Sequence, residues 1–168
     1  MRSNGRHLDL DRFVPYRLSV LTNRISNAIA RHYSERFDLT IAEWRVMAVL
    51  GQSPGLSATE ISQRTEMDKV QVSRAVTGLV RRRRVLKAVD GTDGRITRLT
   101  LTLRGQAIYD EIVPHALELE ERVLARLQPR ERALFDRLIG KLFDGAQELD
   151  DFIPGKREKS GLYSIAAE

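Results

Sequence analysis

Lys69, Gln71, Ser73 and Arg74 fall within six consecutive residues, and Asp93 and Arg95 share a glycine-rich stretch about twenty residues later. These side chains suit the reading of nucleobase edges. Arginine or lysine pairs with guanine and glutamine with adenine, and each good bidentate pair gives roughly 1–3 kcal/mol of discrimination. Thr59, Ser62 and Gln63, just upstream, are short neutral groups suited to phosphate oxygens. A lone arginine on a tight tip can enter a minor groove, where narrow A·T tracts concentrate negative potential. Asp93 could hold the Arg95 guanidinium there through a charge-assisted pair. The plainer alternative for Gln71 and Arg74 is a solvated helix face. Arg81 opens a run of four arginines that wraps around a helix end, so at most two can face one way. Cations there also complement the helix dipole without any ligand. One or two of the four are expected on phosphate and the rest in solvent.

The elements that must position these groups follow from periodicity and capping chemistry. Apolar Leu18, Leu21, Ile25, Ile29 and Tyr33 recur at three- and four-residue spacing and predict a long amphipathic helix from Val14 to about Phe37. Thr40 and Glu43 form a capping box, and so do Ser57 and Glu60, each opening a helix. The first of these carries Trp44, Val46, Met47 and Leu50 and stops at Gly51; the second is short. Asp68 is a good N-cap, a purely structural role that needs no ligand, with Gln71 three residues on. Val72, Ala75, Val76, Leu79 and Val80 then mark the buried face of the helix that carries Lys69 to Arg74. After Arg84 the period falls to two: Val85 to Val89 predicts one strand, and Leu99, Leu101 and Leu103 a second, with Asp90-Gly-Thr-Asp-Gly94 turning between them. A helix from near Arg104, kinked at Pro114, and a last helix after Gln128-Pro129 complete the pattern. The tail from Pro154 lacks helical periodicity and is expected to extend or fray.

Charge sharpens the picture. The chain has 168 residues and a formal net charge of +5. Residues 57–105 hold eleven Lys/Arg against five Asp/Glu, whereas the rest of the chain holds seventeen against eighteen. A positive middle between neutral flanks implies a polyanionic partner. There are no cysteines, which excludes disulfides and thiolate metal sites. His7, His32 and His115 are too dispersed for a metal motif, so no metal or cofactor is expected. No stretch approaches a membrane span, and a soluble, cytoplasmic protein with no membrane partner is the default expectation. An enzyme is disfavoured: there is no nucleophile elbow, P-loop or dinucleotide fingerprint.

In order and spacing, Trp44-Arg-Val-Met-Ala-Val-Leu50, Ser73-Arg-Ala-Val-Thr-Gly-Leu79, Asp93-Gly-Arg95 and Leu101-Thr-Leu-Arg-Gly105 resemble the MarR family of bacterial transcriptional regulators. The resemblance covers roughly residues 14–149. It implies a mainly α fold with a small β-wing: a winged helix-turn-helix domain over 38–103, and a helical dimerisation region from 8–37 and 104–152. The tail is 153–168. It also implies a homodimer on a pseudo-palindromic operator in double-stranded DNA, with the helix after Asp68 in the major groove and Arg95 in the minor groove. Family members commonly bind small anionic aromatic effectors between the dimerisation helices and the DNA-binding lobe. By that analogy Arg17, Arg24, His32, Trp44 and Arg45 become candidate effector contacts, although each also suits a surface or packing role. The chain departs from the family at Arg83, where glycine often joins the recognition helix to the wing. A side chain there must accept a strained conformation or carry the helix further.

Dimerisation also has a basis in the residues themselves. Long apolar stripes on three helices would form a large exposed patch in a monomer, and two-fold pairing would set two reading helices about 34–36 Å apart. The expected function is a homodimeric repressor released from its operator by a small ligand. An architectural DNA binder without effector response is the alternative; it would show steep salt dependence with little loss on mismatched sites.

Overall fold

The computed structural model describes residues 7–152, and the tail lies outside them. Six helices and one hairpin follow in the order α1 (Val14–Phe37), α2 (Ile41–Gln52), α3 (Ala58–Thr65), α4 (Lys69–Arg81), β1 (Val85–Val89), β2 (Thr97–Leu101), α5 (Leu103–Leu124) and α6 (Pro129–Phe152). The chain divides into two compact units between Leu119 and Glu120. The first holds the hairpin, α1 to α4 and most of α5; the second holds the end of α5 and α6.

Capping chemistry sets the helix starts as the residues predict. The Thr40 hydroxyl accepts from the Glu43 N–H at 3.2 Å while the Glu43 carboxylate accepts from the Thr40 N–H at 3.0 Å. Ser57 and Glu60 repeat the arrangement at 3.3 and 2.7 Å. Asp68 Oδ1 accepts from the Gln71 N–H at 2.8 Å, so the recognition-type helix α4 begins where its cap dictates. The core of the first unit is built from Val46, Met47 and Leu50 of α2, Ile61 of α3, Val72, Val76 and Leu79 of α4, Val85 and Leu99 of the hairpin, and Tyr33 of α1. Burial raises the Tyr33 phenol to about 12, with Arg45 acting in the opposite sense.

The second strand is shorter than its alternation predicts. It ends at Leu101, and Leu103 is the first residue of α5 and 94% exposed. Thr102 is the reason. Its hydroxyl accepts from the Gly105 N–H at 2.9 Å, which caps a helix, and its own N–H donates to the Arg84 carbonyl at 3.0 Å. A cap at this point overrides the two-residue period. α5 then continues through Pro114 as one element.

The joint between α4 and β1 takes the strained course. Arg83 adopts φ 56°, in the left-handed region. The Arg83 N–H donates to the Val80 carbonyl and the Arg84 N–H to the Leu79 carbonyl, both at 2.9 Å. This is a Schellman closure with arginine where glycine would be free of the Cβ penalty. Arg83→Gly is therefore expected to stabilise the fold by up to about 1 kcal/mol, read as a higher denaturant midpoint at unchanged slope. A lower midpoint would show that the Arg83 side chain makes a stabilising contact of its own.

Candidate nucleic-acid interface

α4 buries Val72, Ala75, Val76 and Leu79 and leaves Lys69, Gln71, Ser73, Arg74 and Arg81 exposed. On α3, Thr59 is exposed and Gln63 half-buried. Ser62 is a correction. It is buried, and its hydroxyl donates to the Met67 carbonyl at 2.7 Å, closing the turn between α3 and α4. A hydroxyl engaged inside the turn is not available to phosphate.

The hairpin pairs β1 with β2 in antiparallel register, Val85 opposite Leu101 and Val89 opposite Thr97. Its tip is shaped by two carboxylates. Asp90 Oδ1 accepts from the N–H groups of Thr92 at 2.8 Å and Asp93 at 3.1 Å, and from the Thr92 hydroxyl at 2.6 Å. The Thr92 hydroxyl first, and then Arg98, hold the Asp90 carboxyl far below the ordinary carboxylate range. Asp93 corrects a second expectation. Its Oδ1 accepts from the backbone N–H of Arg95 at 2.9 Å rather than from the guanidinium, so it sets the bend and leaves the Arg95 side chain exposed.

Arg98, which sequence reasoning counted as charge and did not single out, ties the wing down. Its Nε donates to Asp90 Oδ2 at 2.6 Å and its terminal nitrogen to Glu60 Oε2 at 3.0 Å. Backbone pairing adds to this anchor, since the Leu99 N–H donates to the Leu56 carbonyl at 2.9 Å and the Gly55 N–H to the Leu99 carbonyl at 2.9 Å. No local pattern signals a bond between residues 38 apart.

These placements create a cleft of about 560 Å³ between the start of α3, α4 and the wing, lined by Ser57, Thr59, Ser73, Lys87, Arg95 and Arg98 among others. Three residues selected for DNA contact therefore meet at one concave surface. Lys69, Gln71, Arg74, Arg81 and Gln63 lie outside its lining.

The arginine run behaves differently from expectation. Arg82 pairs with Asp38 at 3.0 Å and with the buried Glu43. Gly78 makes room for the latter, because an added Cβ would collide with the Glu43 carboxylate. Arg84 is 4% exposed, and its guanidinium donates to the carbonyls of Phe37 and, at 3.2 Å, Asp38. Arg82 is half-buried and Arg84 buried, and both fasten the end of α4 to α1 and α2. Arg81 and Arg83 remain exposed. Together with Arg98, and with Arg64, whose guanidinium donates to the Ser53 hydroxyl at 2.6 Å, at least four of the eleven cations in the basic segment are thus engaged internally. The surface excess is smaller than a charge count suggests and is concentrated on α4 and the wing.

The five effector candidates do not converge. Arg17 and Arg24 are exposed on α1, and the exposed His32 ring lies 4.3 Å from that of His115 on α5. Trp44 packs between Tyr33 and Tyr109, with ring centroids 5.6 and 6.0 Å away. Arg45 is half-buried beside Tyr33. None lines the cleft above, nor a second one of about 410 Å³ formed by Arg36, Asp38, Arg84, Arg104, Ile108 and their neighbours.

A capped short helix, a tight turn, a second helix with an exposed cationic face and a pinned two-stranded wing define a winged helix-turn-helix DNA-binding protein. A sequence model of the MarR family matches residues 37–96. An HTH-type transcriptional repressor of Mycobacterium tuberculosis is 30% identical over 104 residues, covering 62% of this chain and 75% of its own. A MarR-family regulator from Silicibacter pomeroyi superposes with a TM-score of 0.71 at 27% identity over 83% of this chain and 96% of its own. A MarR/EmrR-family regulator from Acinetobacter sp. ADP1 gives 0.77 at 26% over 84% and 99%. The chain belongs to the MarR family and is a DNA-binding transcriptional regulator of that type. Members of the family are regulators rather than enzymes. No helix among the described residues is long and apolar enough to cross a membrane.

Proposed function

We propose that the chain is a cytoplasmic, homodimeric repressor whose two α4 helices occupy successive major grooves of a pseudo-palindromic operator while Arg95 of each wing enters the adjoining minor groove. The carrying observation is the cleft that unites Thr59, Ser73, Lys87 and Arg95 beside the exposed face of α4. In this reading Lys69, Gln71, Ser73, Arg74 and Arg95 meet bases, and Thr59, Gln63 and Arg81 meet phosphate. Asp93 acts through the bend it imposes. Residues 38–103 bind DNA, and 8–37 with 104–152 pair the subunits.

Exposed apolar side chains support the pairing. On and before α1, Leu10, Phe13, Val14, Leu18 and Leu21 are all at least 39% exposed. On α6, Leu134, Phe135, Leu138, Leu142, Phe143 and Leu149 are exposed as well. Stripes of this size call for a covering partner.

Titration of the full chain against a duplex recovered by selection from random sequence tests the proposal. Arg95→Ala is expected to weaken binding about tenfold, in line with loss of one base-reading arginine. An unchanged affinity would remove the wing from the interface. Equal affinity for selected and random duplex would replace the specific repressor with an architectural binder.

Release by a small aromatic acid completes the proposal. BpsR of Bordetella bronchiseptica, which shares the fold, has its DNA binding regulated by 6-hydroxynicotinic acid. Trp44 is the only tryptophan in the sequence and stacks on Tyr109. Its fluorescence gives a direct titration with a panel of such acids, in parallel with operator release.

A further inference from the structure

Val70 is the one exposed large hydrophobic residue on α3 or α4 among the described residues, at 58%. It occupies the second position of α4, in the turn whose side chains reach base edges when such a helix lies in a groove. Helical geometry makes its placement specific. At about 100° per residue, the residues facing directly away from the buried stripe of Val72, Ala75, Val76 and Leu79 are Val70, Arg74, Thr77 and Arg81. Ser73 falls about 70° to one side of this line and Gln71 about 90° to the other. The centre of the outward face is therefore an apolar group followed by an arginine, with Arg81 two turns further on. Neither Arg74 nor Arg81 makes an ion pair among the described residues.

The floor of the major groove offers many polar groups and one apolar group, the 5-methyl of thymine. We propose that Val70 reads a thymine methyl and that Val70 and Arg74 act as one specificity unit. Four residues along a helix advance about 6 Å, which is about two base-pair steps at 3.4 Å each. The unit thus selects a thymine within about two steps of the guanine met by Arg74. Cations on the same face match the phosphates on either side of the groove, whereas a hydrophobe there gains nothing from phosphate or water. This inference rests on α4 entering the major groove.

The test uses the full chain and a duplex recovered by selection from random sequence. Each thymine in the recovered site is replaced in turn by deoxyuridine, which removes only the methyl. For the native chain one position in each half-site is expected to lose about three- to tenfold in affinity, the scale of burying one or two methyl-sized groups. Val70→Ala should bind the thymine duplex more weakly by the same factor and no longer distinguish it from the deoxyuridine duplex. Its thermal midpoint should not fall, because alanine at an exposed first-turn position favours the helix. Deoxyuridine without effect at every position, or an effect that persists in Val70→Ala, would overturn the inference. Arg74→Ala separates the two levels. If it relaxes sequence preference while Val70→Ala does not, only the methyl contact is wrong. If neither variant changes preference, α4 is not the reading element and the groove assignment falls with it.

Discussion

Gly105→Ala is expected to destabilise the first unit by about 3 kcal/mol, the upper part of the range for overpacking a close contact. The first turn of α5 rests directly on the Arg84 peptide. A Cβ at residue 105 would lie inside contact distance of the Arg84 carbonyl oxygen and 3.0 Å from its carbon. Both are backbone atoms, so no side chain can swing aside. The surroundings are also fixed from several directions: Thr102 donates to the carbonyls of Arg84 at 3.0 Å and Arg83 at 2.8 Å, and the Arg84 guanidinium is pinned to the end of α1. Relief requires α5 to move off the start of β1, and the wing moves with it. The measurement is the denaturant midpoint at unchanged slope. A shift below 0.5 kcal/mol, roughly the scale of a neutral surface change, would mean the joint can spread. Gly145→Ala on α6, where an added Cβ meets nothing within 4 Å, should move the midpoint slightly the other way.

The same joint shows which features the residues reveal locally. Capping pairs three residues apart, at Thr40 with Glu43, Ser57 with Glu60 and Asp68 with the Gln71 amide, position three helices because both partners are close in sequence. The change of period after Arg84 likewise exposes the wing. What stays hidden is the long-range use of polar side chains. Ser62 differs from Thr59 by less than one turn, yet the packing of α3 on α4 turns one hydroxyl inward and leaves the other outside. Four adjacent arginines look alike until Asp38 and Glu43, about forty residues earlier, claim Arg82, and the end of α1 claims Arg84. Arg83, by contrast, is legible as a departure because a left-handed link there is a backbone requirement.

Arg98→Met is expected to reduce operator affinity about as much as Arg95→Ala, although residue 98 need not touch DNA. Methionine keeps the apolar stem and removes the guanidinium that joins Asp90 at the base of the tip to Glu60 at the start of α3. The Asp90 and Glu60 carboxylates then lose their shared cation, and what still fixes the wing to the helices is at its base: the backbone bonds of Leu99 to Leu56 and Gly55 and the burial of Val85 and Leu99. The tip loses its preferred angle, and the Arg95 contact weakens with it. Because both changes act on one contact, the Arg95→Ala/Arg98→Met double variant should bind no worse than Arg95→Ala alone. Additive losses would instead make Arg98 an independent DNA contact. Acid gives a second readout. The carboxyls of Asp90 and Glu60 are both lowered in the folded chain, Asp90 by Thr92 and then Arg98, and Glu60 chiefly by Ser57. A lowered folded value means that the clamp contributes fully above the unfolded carboxylate range, about pH 4, and is lost only as pH falls through the folded values below it. From pH 8 down to about pH 5 the native chain should therefore keep a constant wing contribution, measured as the affinity ratio of native to Arg98→Met. A ratio that already collapses near pH 6 would mean that a histidine, and not this carboxylate pair, governs the wing.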